Sequence, residues 1–116
     1  MQLWEIRDIL DAKILSGEGY LDREVHAACG SDLMSDVLAF VKNQSVLLTG
    51  LLNPQVVRTA EMMDMCCIII VRGKTPEENL IKLAEEKDIV LMTTHYPMYS
   101  ACGRLYSRGL YQKEGQ

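Results

Sequence analysis

The chain of 116 residues is 48% hydrophobic and 24% charged, with 12 Lys and Arg against 16 Asp and Glu for a net charge of −4. At this length a folded chain buries close to two-thirds of the surface its unfolded form exposes, which argues against disorder and against dependence on metal or disulfide staples. The acidic balance argues against a phosphate-tracking face, and no apolar run approaches the roughly 20 residues of a membrane span, so neither nucleic acid nor membrane is expected as a partner.

In chain order, the spacing predicts a short helix from Leu3 to Leu10, whose Glu5, Arg7 and Asp8 stand where a secretion leader would be continuously apolar. A strand over Ala12 to Leu15, a turn at Gly17-Glu18-Gly19 and a second strand over Glu24 to Ala28 are expected next. Gly30-Ser31-Asp32 then breaks the chain, and Ser31 reads as the cap of a helix with the stripe Leu33, Met34, Val37, Leu38 and Val41.

From Ser45 onward, apolar β-type runs alternate with amphipathic stretches. Ser45 to Gly50 reads as a buried strand, followed by Asn53 as N-cap, Pro54 as first helical residue and a helix to about Asp64 with Val56, Val57, Ala60 and Met63 inward. Cys66 to Val71 is the next strand, and Arg72-Gly73-Lys74 its turn. Thr75, Pro76 and Glu78 have the spacing of N-cap, first position and capping-box acid for a helix burying Leu80, Leu83 and Ala84. Ile89 to Thr94 gives a third strand, His95-Tyr96-Pro97 a turn, and Pro97 to Arg108 a helix stopped by Gly109. Three βα units in series, with strands apolar on both sides, imply an α/β fold: a three-layer α/β/α sandwich on a mostly parallel sheet, as one domain over residues 1–116.

Ligands of open parallel sheets bind outside the carboxyl ends of the strands. The loops there offer Thr49, Gly50 and Asn53, then Arg72, Gly73 and Thr75, then Thr93, Thr94, His95 and Tyr96. Small hydroxyls, helix-terminal amides, a guanidinium and an imidazole are a set that can hold an anion. The same residues also serve as ordinary caps and turns. Asp32 and Asp36, four apart, read either as a cation or partner site or as first-turn acids favouring the helix dipole; they would repel a phosphate, so no anion is placed there.

Four cysteines (Cys29, Cys66, Cys67, Cys102) lack framework or zinc-type spacing and read as reduced thiols in a cytoplasmic protein. Cys66 and Cys67 are expected on opposite faces of their strand. A His95–Cys102 nucleophile pair needs an adjacency that sequence does not show. No phosphate loop, dinucleotide fingerprint or nucleophile elbow occurs, and Gly103-Arg104 to Gly109 falls within a helix. No catalytic residue, metal or cofactor is assigned.

The stretch from about Glu24 to Gly109 resembles the DRTGG domain family. The resemblance rests on Val25 to Phe40 with its core Ser31-Asp32-Leu33-Met34-Ser35-Asp36, on Ile68 to Gly73, on Pro76-Glu77-Glu78, and on Leu83 to Thr94 with Tyr96. Two loops depart from the family pattern: Gly50-Leu51-Leu52-Asn53 stands where Gly-Asp-Arg is usual, and Val71-Arg72-Gly73 where Thr-Gly-Gly is frequent. Such domains occur fused in CBS-domain pyrophosphatases and phosphotransacetylases, are similar to the N-terminal domain of HPr kinase/phosphorylase, and also stand alone. The resemblance implies a regulatory or assembly module that tends to form a homodimer and carries no catalytic residue; taken with the loop caps and Arg72, it points to a nucleotide or phosphometabolite as the ligand expected at the strand-end loops. Its alternative is an assembly partner of a redox complex of iron-hydrogenase type, since some relatives look to be encoded beside such components. Tyr99, Leu105, Tyr106, Leu110 and Tyr111 form a candidate contact face.

Overall fold

The computed structural model describes residues 1–40 and 45–111. Helix α1 (Leu3–Leu10) has the expected bounds: Glu5 Oε2 accepts the Gln2 N–H at 2.7 Å, and Asp11, at φ 48°, ends the helix in the left-handed region. There follow β1 (Lys13–Ser16), a single 3-10 turn (Glu18–Tyr20), β2 (Ala27–Gly30), α2 (Met34–Phe40), β3 (Ser45–Thr49), α3 (Gln55–Met62), β4 (Cys67–Ile70), α4 (Glu78–Glu86), β5 (Val90–Thr93) and α5 (Met98–Ser107).

The five strands form one sheet in the order β1-β5-β4-β3-β2. The pairs β2–β3, β3–β4 and β4–β5 are parallel, with registers such as Leu47↔Ile68 and Ile69↔Met92. Strand β1 joins the β5 edge antiparallel, Lys13 opposite Thr93. Alternate residues of the central strands feed two apolar layers. Val46, Leu48, Cys67, Ile69, Val90 and Met92 pack against Leu3, Ile6 and Leu10 of α1 and Ala101 and Leu105 of α5. On the opposite face Leu47, Ile68, Ile70 and Leu91 meet α2, α3 and α4 through Val37, Val56, Ala60, Leu80 and Ala84. The expected α/β/α sandwich with a mostly parallel sheet is thus the fold.

Several local readings differ. Strand β2 begins three residues later than expected, because Glu24 pairs instead with Gln2 in an isolated antiparallel bridge. In the α2 stripe Met34 and Val37 are buried, but Leu33 and Leu38 are exposed and Val41 lies outside the described residues. The Asn53 cap holds: its Oδ1 accepts the Gln55 N–H at 3.0 Å and Pro54 is helical at φ −60°, ψ −20°. The Thr75 cap does not. Glu77 is extended at φ −69°, ψ 159°, so α4 opens only at Glu78 and Pro76 is buried instead of leading the helix. Proline fixes its own φ but not the ψ that must turn the chain into the helix. Cys66 precedes β4 and packs against the same apolar layer as Cys67, not the opposite one.

Candidate ligand site at the strand ends

Strands β3, β4 and β5 run parallel, so their carboxyl ends and the loops that follow share one rim. Helices α3 and α4 return to one face of the sheet, whereas α5 crosses to the other. The loop after β4 and the loop after β5 therefore leave neighbouring strands for opposite faces, which is the topological switch point where open sheets bind ligands.

At that point Arg72 is exposed and its backbone is left-handed at φ 67°, followed by Gly73 at φ 68°. The left-handed region costs a side-chain-bearing residue about 1–2 kcal/mol. Cross-loop bonds hold it there: the Arg72 N–H donates to the Tyr96 carbonyl at 2.9 Å and the Gly73 N–H to the Thr94 carbonyl at 2.8 Å. The other left-handed non-glycine residues among those described, Asp11, Asp64 and Asp88, are aspartates, a type that tolerates the region.

The remaining predicted residues divide by what their polar atoms already do. Thr94 is buried, its hydroxyl donating to the Leu10 carbonyl at 2.7 Å and accepting the Tyr96 N–H at 3.3 Å, so it ties α1 to the rim. Thr93 Oγ1 donates to the Lys74 carbonyl at 2.7 Å. Asn53 caps α3. Thr75 is exposed in the loop before α4, and His95 is exposed with its ring 4.2 Å from that of Tyr96. Thr49 and Gly50 are buried at the end of β3.

Three further residues join this rim, Lys74 from the turn after β4 and two from other elements, Asp32 and Arg104. Asp32 Oδ1 accepts the Thr49 hydroxyl at 3.0 Å and the Gly50 N–H at 2.6 Å, and Lys74 Nζ donates to the Gly50 carbonyl at 2.9 Å. The Arg104 guanidinium lies over the Tyr96 ring, 4.0 Å from its centroid, within cation–π range. A shallow groove of about 420 Å³ runs on from Tyr96 along α5, lined by Tyr99, Ser100, Gly103, Arg104 and Ser107. Asp32 precedes α2 and does not share a helical face with Asp36. Ser31 does not cap α2, which opens only at Met34 with the Leu33 carbonyl taking the Asp36 N–H; the Ser31 Oγ accepts the Leu33 N–H at 3.0 Å in the preceding turn, and Asp32 beside it reaches another loop.

Burial pushes all four cysteine thiols above their ordinary value, most strongly at the fully buried Cys67. A nucleophilic thiol needs the opposite shift. Among the described residues no three His, Cys, Asp or Glu side chains gather in a way that could hold a metal ion. No described helix is long and apolar enough to cross a membrane.

The chain is similar in fold to the crystal structure of the CBS and DRTGG domains of the regulatory region of Clostridium perfringens pyrophosphatase, complexed with its activator diadenosine tetraphosphate. The match has a TM-score of 0.74 and 20% sequence identity, and covers 98% of this chain but 51% of that one, so this chain spans about half the length of its structural neighbour. No curated protein matches it in sequence. The DRTGG domain family model matches residues 5–107, nearly the whole chain, and the protein belongs to the DRTGG domain family.

Proposed function

We propose that residues 1–116 form a single non-catalytic regulatory module that binds a small anionic ligand of the nucleotide or phosphometabolite class at the β4/β5 switch point. The observation that carries this reading is Arg72, a guanidinium held exposed at that point on a left-handed backbone that the fold pins from two sides. Backbone strain maintained by surrounding bonds clusters at ligand sites. Around it a chain of net charge −4 places Lys74, His95 and Arg104, and the first turns of α3 and α5 carry no acid. Positive helix ends and cations together favour an anion.

The structural neighbour supports the ligand class, since the regulatory region that contains its DRTGG domain is complexed with a dinucleotide activator. In this reading the module works as a homodimer in the cytoplasm, with Tyr99 and Tyr106, exposed at 85% and 64%, on the outer side of α5 as the contact face. Leu105 and Leu110 are no part of that face, because both are buried in the core. The redox-complex alternative draws no support from the neighbour, which regulates a pyrophosphatase.

Isothermal titration against ATP, AMP, diadenosine tetraphosphate and phosphorylated metabolites tests the reading. At least one should bind, and Arg72→Ala should weaken it about tenfold or more, the loss of a charge-assisted contact. Silence across the panel would refute the ligand site.

A further inference from the structure

The end of β3 already holds an oxyanion, and it is the protein's own. One oxygen of Asp32 takes the hydroxyl of Thr49, which is fully buried, and the backbone N–H of Gly50, while Lys74 Nζ stands on the Gly50 carbonyl. Both charged groups flank the same glycine: a Cβ on Gly50 would sit in ordinary contact, 3.5 Å from Asp32 Oδ1 and 3.5 Å from Lys74 Nζ. Hydroxyl, amide and ammonium are the donor set that binds a phosphate oxygen.

We propose that Thr49, Gly50 and Lys74 form a phosphate subsite that the Asp32 carboxylate occupies in the unliganded protein, so that Asp32 competes with ligand phosphate and sets the affinity of the site. The inference rests on the anion-binding reading of the rim and adds a second phosphate position one strand from Arg72, together with the residue that guards it. Asp32 lies exposed in the connection between β2 and α2, so its carboxylate leaves by side-chain rotation without unfolding an element. A like charge facing the ligand lowers affinity until it moves.

Titration of the full chain with inorganic pyrophosphate, ATP and adenosine, as wild type, Asp32→Ala, Asp32→Asn and Lys74→Ala, tests this. Both Asp32 variants should bind pyrophosphate and ATP about tenfold more tightly than wild type, as expected when a like charge is removed from a binding face. Lys74→Ala should weaken both, and adenosine should respond to none. Asp32→Asn retains an acceptor for the two donors, so it decides the matter should Asp32→Ala fail to fold. Unchanged or weaker binding in Asp32→Asn, with wild-type binding still sensitive to Arg72→Ala, would overturn the competitor and leave the rim reading standing. No binding of pyrophosphate or ATP by any variant would overturn both.

Discussion

The Thr94 hydroxyl donates to the main-chain carbonyl of Leu10 across 84 positions of sequence, at 2.7 Å in a fully enclosed setting. That bond fastens the end of α1 to the end of β5, and the same oxygen accepts the Tyr96 N–H that starts the next loop. Thr94→Val keeps the shape and strands the carbonyl, so it should cost about 1–3 kcal/mol of stability in urea unfolding. Nucleotide affinity, measured where the variant is folded, should be unchanged, because the hydroxyl is committed to the scaffold.

Gly30, at the end of the edge strand β2, faces Cys102 on α5. A methyl group there would lie 2.6 Å from the Cys102 Sγ and 3.1 Å from the Met98 Sδ. Gly30→Ala should therefore destabilise by about 1–3 kcal/mol through overpacking. Adding Cys102→Ala should return part of that loss, a coupling that a double-mutant cycle in urea reads directly. Full additivity would show that the two residues do not meet.

Arg72 makes a separable prediction because its cost and its use lie in different atoms. Glycine adopts φ 67° freely, so Arg72→Gly should remove the left-handed penalty of about 1–2 kcal/mol and give back part of it as backbone entropy, a net gain of roughly 0.5–1 kcal/mol. The same substitution should abolish tight anion binding. A variant that is more stable and inactive is the signature of strain kept for function. Loss of stability together with binding would assign Arg72 to the scaffold.

The repeating part of this fold could be read from sequence and the junctions could not. Leu3 to Leu10 and the apolar strands from Val46 to Met92 carry local signals, periodicity and caps, that need no partner to interpret. The antiparallel placement of β1 beside β5 is a long-range choice, made by Lys13 pairing with Thr93, and four residues of Lys-Ile-Leu-Ser do not announce a direction. Thr75-Pro76-Glu77-Glu78 has every mark of a helix start, yet Pro76 is buried and Glu77 extended, so the helix opens two residues late, at Glu78. Loop position alone places Arg72, Gly73, Lys74 and His95 at the strand ends, whereas Asp32 and Arg104 come from other elements, through contacts made 18 and 8 residues away in sequence.

Thiol chemistry follows burial. With every thiol held above its ordinary value, the folded protein should react slowly with iodoacetamide at neutral pH, and Cys67 should label only on unfolding. The folded state keeps the Cys67 proton when the unfolded chain has released it, so this contribution to stability is complete below the ordinary thiol pKa of about 8.5 and is lost progressively as pH rises above it. Urea midpoints between pH 7 and 10 should fall, and a Cys67→Ala variant should show a shallower fall.

The most direct test of the central claim is a thermal-shift screen of the purified protein against nucleotides, phosphorylated metabolites and divalent metals. A ligand that binds only the folded state at about 100 times its Kd adds about 2.7 kcal/mol, which for a domain of this size raises Tm by roughly 10 °C. The account predicts such a shift with at least one nucleotide or phosphometabolite, reduced by Arg72→Ala, and none with metals alone. A melting temperature that no phosphate-bearing compound moves would contradict it.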